Sequence, residues 1–327
     1  MVDLTEAERM TRAAWLYYVA GLNQAETAHR LGVTRARVNR LLQGARQTGV
    51  VAISVNERDL GLLKVEEALR VRFGLDTCIA TVPVGGNGSH ADQEATLRLV
   101  GAAGAQLMQG RLAADPSMII GIGWGRTLAA LAHAFPGPAA PEARFISLMG
   151  SLTAKSSVNP FDVVQELAKA TGGEGYFLPV PFIADTPQDR AFLLSQQAIK
   201  APLALARRAQ CAFISVGELT SDSLLVQKGM IGEDDLAELR AAGAVGDTNG
   251  IFFDAAGVPV AHPLNQRCVA LGLDALRSME TVLLSAGRQK LNATRALLES
   301  GAIRTLVIDG DSALALSRVS GASDATP

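Results

Sequence analysis

The sequence predicts an α/β protein, with an N-terminal all-α helix-turn-helix domain followed by a mainly parallel-sheet, three-layer Rossmann-like domain. Three observations lead there. From residue 75 onward, short apolar runs alternate with amphipathic stretches, the pattern of a parallel sheet covered by helices on both faces. Between Leu22 and Gly49, Arg30, Arg35, Arg37, Arg40 and Arg46 stand against Glu26, a local charge of +4 in a chain whose formal net charge is −2. One apolar run, Met118-Ile119-Ile120, feeds the loop Gly121-Ile122-Gly123-Trp124-Gly125-Arg126-Thr127, and a helical stretch follows it.

The first 21 residues carry helical periodicity from residue 5, with Ala14, Leu16, Tyr18 and Val19 as expected buried positions and Gly21 as the stop. Residues 23–42 then have the features of a helix-turn-helix. Ala28 is small where two helices cross, Gly32 suits a turn at positive φ, Thr34 can cap the second helix, and Val38 and Leu41 point inward. That arrangement leaves Thr34, Arg35, Arg37, Asn39 and Arg40 to read base edges or grip phosphates of double-stranded DNA, with the N-terminal end of the second helix in the major groove. A local basic patch in an acidic chain is the electrostatic footprint of such binding. His29 on the first motif helix reads as a surface or packing residue, and residues 50–55 as a short strand, a small wing.

In residues 57–73 the apolar set Leu62, Val65, Leu69 and Phe73 recurs at steps of three and four, and Gly74 supplies a C-terminal stop. This linker helix could lie on the large domain or pair with a second copy of itself. The expected divisions are therefore 1–56 for the DNA reader, 57–74 for the linker helix, 75–320 for the large domain and 321–327 for a frayed tail.

Seven strands are expected at 77–82, 118–122, 144–149, 175–179, 211–216, 281–285 and 305–308. Helices are expected at 92–109, 127–134, 161–171, 188–207, 265–278, 289–299 and 311–319. In parallel sheets ligands sit beyond the C-terminal strand ends, so the polar groups that follow each run are the site candidates. Three glycines let the loop at 121–127 bring its N–H groups close to a ligand; Arg126 adds charge and Thr127 a hydroxyl at the helix start, a recipe for a small anion. Its glycine spacing is not that of the dinucleotide fingerprint. Trp124 is a candidate wall of the same pocket.

Ser151 follows the third strand, and Asn159-Pro160 opens the next helix as N-cap and first turn. Gly217-Glu218-Leu219-Thr220 follows the fifth. Gly243–Gly250 reads as a polar glycine loop in which Asp247 either accepts from two sugar hydroxyls or caps its own turn. After Ala286-Gly287-Arg288, Lys290 projects from a first helical turn toward the same rim, unless it is a plain surface lysine. Asp309-Gly310-Asp311 closes the last strand and caps the final helix.

An apolar fraction of 48% supports a sizeable core, and 327 residues exceed the roughly 250 that one core sustains. Cys78, Cys211 and Cys268 fit no metal spacing and read as reduced core residues. No metal site, cofactor, signal peptide or membrane span is expected, which places the chain in the cytoplasm. No Ser/His/Asp set and no carboxylate pair stands out as catalytic, and His90, His133 and His262 read as loop or cap residues.

Leu31-Gly32-Val33-Thr34, Gly-Trp-Gly-Arg-Thr at 123–127, Gly243–Gly250 and Ala286–Lys290 together resemble the SorC-type sugar-binding transcriptional regulators of bacteria. The resemblance runs from about Ala13 to Val319. It departs from the usual pattern at Ala286-Gly287, where Gly-Gly is common, and at Asp309-Gly310, where Asp-Glu is common. What it implies is an effector domain similar to sugar-phosphate isomerases, control of a carbohydrate or polyol catabolic operon, and a homo-oligomer, a tetramer built as a dimer of dimers. It further implies that Gly123, Trp124, Gly125, Arg126 and Thr127 hold a phosphate or terminal hydroxyls of a sugar, polyol or sugar phosphate, Asp247 its hydroxyls and Lys290 its charge. A second reading is an isomerase- or deaminase-type enzyme with an accessory DNA-binding end.

Overall fold

The computed structural model describes residues 5–48, 50–51, 57–86, 89–151 and 160–318, and the chain divides into two compact units, Met1–Leu60 and Gly61–Pro327. In the first unit α1 (Glu6–Ala14) runs into a π-helical turn (Trp15–Val19), followed by α2 (Gln24–Leu31) and α3 (Arg35–Gln47). Asn23 caps α2 in a reciprocal pair with Glu26, Gly32 ends it at φ 65°, and Thr34 Oγ1 accepts from the Arg37 N–H to start α3. Ala13, Ala28, Val38, Leu41 and Leu42 form the small core between the three helices.

Two expected core positions are corrected. Tyr18 is 38% exposed and Val19 70% exposed. The cause is the π-helical turn, whose wider winding rotates Tyr18 and Val19 away from the face that a 3.6-residue period would assign them. The expected wing at 50–55 lies largely outside the described residues, as do residues 319–327 and Asn159.

The second unit begins within α4 (Glu57–Phe73), which leads to β1 (Thr77–Ala80), α5 (His90–Ala114), β2 (Ile119–Ile122), α6 (Arg126–Ala134), β3 (Arg144–Ser151), α7 (Pro160–Thr171) and β4 (Glu174–Pro181). Then come α8 (Pro187–Ser195), α9 (Gln197–Arg207), β5 (Cys211–Ser215), β6 (Gly217–Glu218), α10 (Leu224–Gln227), α11 (Glu233–Ala241), β7 (Gly246–Thr248) and β8 (Ile251–Phe253). The chain continues through α12 (Pro263–Arg267), α13 (Leu273–Arg277), β9 (Glu280–Ser285), a 3₁₀ turn (Arg288–Lys290), α14 (Leu291–Glu299), β10 (Thr305–Ile308) and α15 (Gly310–Arg318).

All seven expected strands join one parallel sheet, in the order β1-β10-β9-β5-β2-β3-β4. Successive strand residues face opposite layers. Ile214, Leu283 and Leu306 pack toward Leu69, Leu297 and Leu316, whereas Phe213, Leu284 and Val307 pack toward Met108, Leu128 and Leu131. The result is the expected helix–sheet–helix sandwich, with strands that are apolar on both faces. The stripe of α4 lies on the sheet: Leu69 is fully buried, and Val65 and Phe73 pack beside it. Glu66 Oε1 also accepts from the Ala80 N–H of the edge strand at 2.7 Å.

Two helices expected as single are broken. Residues 188–207 form α8 and α9, because Gln196 is extended and starts the second helix. Residues 268–272 leave the expected helix at 265–278 and run beside β3, where the Val269 carbonyl accepts from the Gly150 N–H and the Leu271 N–H donates to Leu148. The apolar run Cys268-Val269-Ala270-Leu271 serves a third strand-like path that sequence periodicity cannot separate from a buried helix.

Candidate functional site

Strand order reverses between β2 and β5, which are neighbours in the sheet although β3 and β4 intervene in sequence. The loops leaving their C-terminal ends diverge and open a crevice, the usual ligand position in such sheets. A cavity occupies it, lined by Trp124, Gly125 and Arg126 after β2, by Ser215, Gly217 and Glu218 after β5, and by Asp247 and Lys290.

The β2 loop is built for close approach. Gly125 sits at φ 114° and starts α6 without a side-chain cap, so the first N–H groups of the helix are not satisfied from within the loop. The Ser215 hydroxyl donates to the Trp124 carbonyl at 2.6 Å and pins the loop to β5. Trp124 is buried against Phe182, with ring centroids 6.0 Å apart, and forms one wall of the cavity. Thr127 is fully buried, its Oγ1 has no partner among the described residues, and it does not line the cavity. Gly123 continues the strand through its N–H, which donates to Phe213.

The expected glycine loop at 243–250 is instead a hairpin. β6, β7 and β8 form a small antiparallel sheet in which Gly217 pairs with Asp247 and Thr248 with Ile251. Asn249 at φ 49° and Gly250 at φ 75° make the two-residue turn, the Asn-Gly pairing that tolerates positive φ at both positions. Asp247 Oδ2 accepts from the Gly250 N–H at 3.0 Å, so the aspartate does cap its own turn. Its Oδ1 lies against Gly217, where any Cβ would fall 2.1 Å away; only glycine leaves room for the carboxylate there. Asp247 thereby both closes the hairpin and lines the cavity.

Lys290 ends the 3₁₀ turn before α14 and is buried, 7% exposed. It is not a surface lysine. Burial pushes its ammonium below the ordinary value, with Arg126 acting the same way and Glu218 and Asp247 opposing it. Burial likewise pushes the Asp247 carboxyl up to about 6; Glu218 adds to the rise, and the Gly250 hydrogen bond and Lys290 work against it. Arg126 Nη2 lies 3.9 Å from Glu218 Oε1. Arg126 and Lys290 also line a neighbouring cavity of about 150 Å³, bounded by Gly86, Asp92, Gly287 and Asp311.

Of the expected site residues, the structure gathers Trp124, Gly125, Arg126, Asp247 and Lys290 around one cavity. Ser151 does not reach this cavity; it is half-buried at the end of β3, paired with Pro181. Glu218, which the sequence offers only within the run Gly217–Thr220 after the fifth strand, lines the cavity with Asp247, so two carboxylates come together here. A lone glutamate after a strand resembles a solvated surface residue, and only the cross-strand pairing of Gly217 with Asp247 reveals its place.

Among the described residues no group of three His, Cys, Asp or Glu side chains could hold a metal ion, and no helix is long and apolar enough to cross a membrane. All three cysteines are buried, and desolvation pushes the Cys78 and Cys211 thiols up to about 12, which makes them poor nucleophiles.

In the first unit Thr34, Arg35, Asn39 and Arg40 are exposed along the start of α3. The Arg35 Nε donates to Gln24 at 3.3 Å. Arg37 differs from its neighbours: it is half-buried and its Nη2 lies 2.6 Å from Glu6 Oε2, an ion pair that braces α1 against α3.

The family model described as "Putative sugar-binding domain" matches residues 58–317. The erythritol catabolism regulatory protein EryD of Brucella abortus is 34% identical over 305 residues, covering 93% of this chain and 95% of that protein. This chain belongs to the SorC-type sugar-binding transcriptional regulators. The transcriptional regulator LsrR of Escherichia coli K12 is 29% identical, covering 96% of each chain. In three dimensions the full-length sorbitol operon regulator SorC of Klebsiella pneumoniae matches with a TM-score of 0.71 at 23% identity, covering 94% of this chain and 98% of that one, which shows the shared fold. As a member of this family the chain is a transcriptional regulator with a sugar-binding domain.

The raised Asp247 carboxyl sets a direction for stability with pH. A carboxyl whose folded value lies above its unfolded one binds protons more tightly in the folded state, so its contribution is fully present below about 4 and is lost as pH rises through about 6. Asp247→Asn is therefore expected to raise the melting temperature at pH 8 and to leave it near that of the parent at pH 4. The full effect is on the order of 3 kcal/mol. Thermal melts of both proteins across this range check it, and an equal difference at both ends would show that the carboxyl's charge is not what matters.

Proposed function

We propose that this protein controls a polyol or sugar catabolic operon by binding double-stranded operator DNA through α3, and that a polyol, sugar or sugar phosphate bound between β2 and β5 changes that affinity. The observation that carries the proposal is the cavity that Asp247, Glu218, Lys290 and Arg126 line together with Gly125 at the start of α6. Carboxylates accept hydroxyl protons, and the cations with the free N–H groups of α6 donate to hydroxyl or phosphate oxygens. The name of the 34% identical relative makes erythritol, a four-carbon polyol, the first effector to test. Thr34, Arg35, Asn39 and Arg40 are the proposed DNA contacts, with Arg37 as a brace that can also reach a phosphate. We further propose the division at 1–56, 57–74 and 75–320, a tetrameric assembly built as a dimer of dimers, and a cytoplasmic location. Effector binding shifts the population of subunit arrangements, DNA-competent against incompetent, by its difference in affinity for the two.

The test is operator binding by fluorescence anisotropy with the full chain, using DNA from upstream of its own gene, in the presence of erythritol, pentitols, free sugars and sugar phosphates. At least one compound is expected to shift both the DNA affinity and the melting temperature. Indifference to the whole panel in both assays removes the proposal.

The gathering of Glu218 and Asp247, with a carboxyl poised near neutral pH, is what an acid–base enzyme would also present. We propose binding without turnover. Incubation of the same panel with the protein, followed by chromatography, decides: isomerised or deaminated product establishes the enzymatic reading.

A further inference from the structure

The β2 loop and its surroundings look designed for an anion. Gly125 starts α6 without a side-chain cap, Arg126 stands at that start, and Lys290 is buried beside it. A helix N-terminus with two cations would ordinarily hold a phosphate. Here the charge is already matched from within. Glu218 is 7% exposed, and apart from the Arg126 ion pair its carboxylate makes no hydrogen bond among the described residues. Asp247, 3% exposed, adds a second carboxylate to the same cavity. Both act on Lys290. Two cations therefore face two carboxylates at a site where Lys290, Glu218 and Asp247 are buried and Arg126 is partly exposed, and like charges repel more strongly there than in solvent.

We propose that Glu218 is a built-in counter-anion that makes this site select an uncharged polyol over its phosphate ester. The proposal rests on the polyol reading above and adds the ligand's charge to it. A dianionic phosphate entering beside Arg126 must either displace Glu218 from its partner or sit against it. The Glu218 backbone is held on β6 by the pairing with β7, and Asp247 Oδ2 accepts from the Gly250 N–H. A neutral polyol meets no such barrier. Its hydroxyls donate to Glu218 and Asp247 and accept from Lys290 and Arg126, so each charge keeps a partner while exchanging water for ligand. The cavity is small, about 30 Å³, with Trp124 as one wall and Ser215 tied to the loop.

The test is isothermal titration of the full-length protein with erythritol and with erythritol 4-phosphate, for the parent chain, Glu218→Gln and Glu218→Asp. The parent is expected to bind erythritol at least about tenfold more tightly than its phosphate, and Glu218→Gln to move that ratio toward the phosphate by about tenfold or more. Glu218→Asp retains the charge and is expected to retain the preference. Equal or tighter binding of the phosphate by the parent overturns the proposal, as does an unchanged ratio in Glu218→Gln. If the glutamine variant does not fold, the parent's ratio decides alone. Binding of the phosphate in preference to erythritol leaves the polyol reading standing and removes only this inference. Binding of neither removes both.

Discussion

Replacing Lys290 by methionine is expected to abolish the effector response and to make the stability of the large unit, relative to the parent, fall between pH 5 and pH 8. The methionine fills the same volume, so the loss is electrostatic. It leaves Glu218 and Asp247 buried together with only Arg126, whose side chain is 38% exposed and 3.9 Å away, as a counter-charge. Lys290 holds the Asp247 carboxyl down; without it that carboxyl rises above its present value of about 6. The sign then follows. A carboxyl raised in the folded state contributes stability at low pH that disappears as pH rises through its folded value. The stability of Lys290→Met relative to the parent should accordingly be highest at pH 5, where the Asp247 carboxyl takes up its proton, and lowest at pH 8. Urea unfolding at the two pH values measures it. An equal difference from the parent at both would mean that Lys290 acts through packing, and that the charge set in the cavity does not exist as described.

That charge set also marks where sequence reasoning stops. The seven parallel strands were legible because each is a short apolar run, buried on both faces and bounded by turn residues, and because such runs between amphipathic helices allow few other architectures. The β2 loop was legible because glycine spacing is local. Its position at the strand-order reversal, and hence the site, followed from the sheet order alone. The hairpin at Asp247 was written in the sequence as Asn249-Gly250, but the short strands around it carry too little alternation to separate them from a loop. Glu218 was legible only as one member of the polar run after β5, for a different reason. Its role depends on pairing with a strand about thirty residues away, and nothing in its own neighbourhood distinguishes it from a solvated acid. Tyr18 and Val19 were misplaced because a π-helical turn changes the period without a sequence mark. Local chemistry could therefore name the loop's donors, Asp247 and Lys290, whereas the meeting of Glu218 with them required the fold.

At the other end of the chain, Arg40→Ala is expected to weaken operator binding by about 10- to 100-fold, the cost of one lost base or phosphate contact of about 1–3 kcal/mol, and to leave the polyol midpoint unchanged. Arg40 is exposed on α3 with Arg35 and Asn39. The small core of that unit is made by Val38, Leu41 and Leu42 on the opposite side, so the substitution touches no packing. The salt dependence separates the two roles open to it. A phosphate contact lowers the slope of log affinity against log salt by about 1 and weakens all sequences alike, while a base contact lowers discrimination among operator variants with the slope preserved. Arg37→Ala is the control with a different expected outcome. Its guanidinium already pairs with Glu6 and links α1 to α3, so its removal costs up to about 1 kcal/mol of stability in addition to any DNA contact. Restoring the fold without the charge, by pairing Arg37→Leu with Glu6→Leu, isolates the DNA term. If Arg40→Ala instead altered the polyol midpoint in DNA-free protein, the two units could not be treated as a reader and a sensor joined by α4, and the effector would have to be sought as a ligand of both.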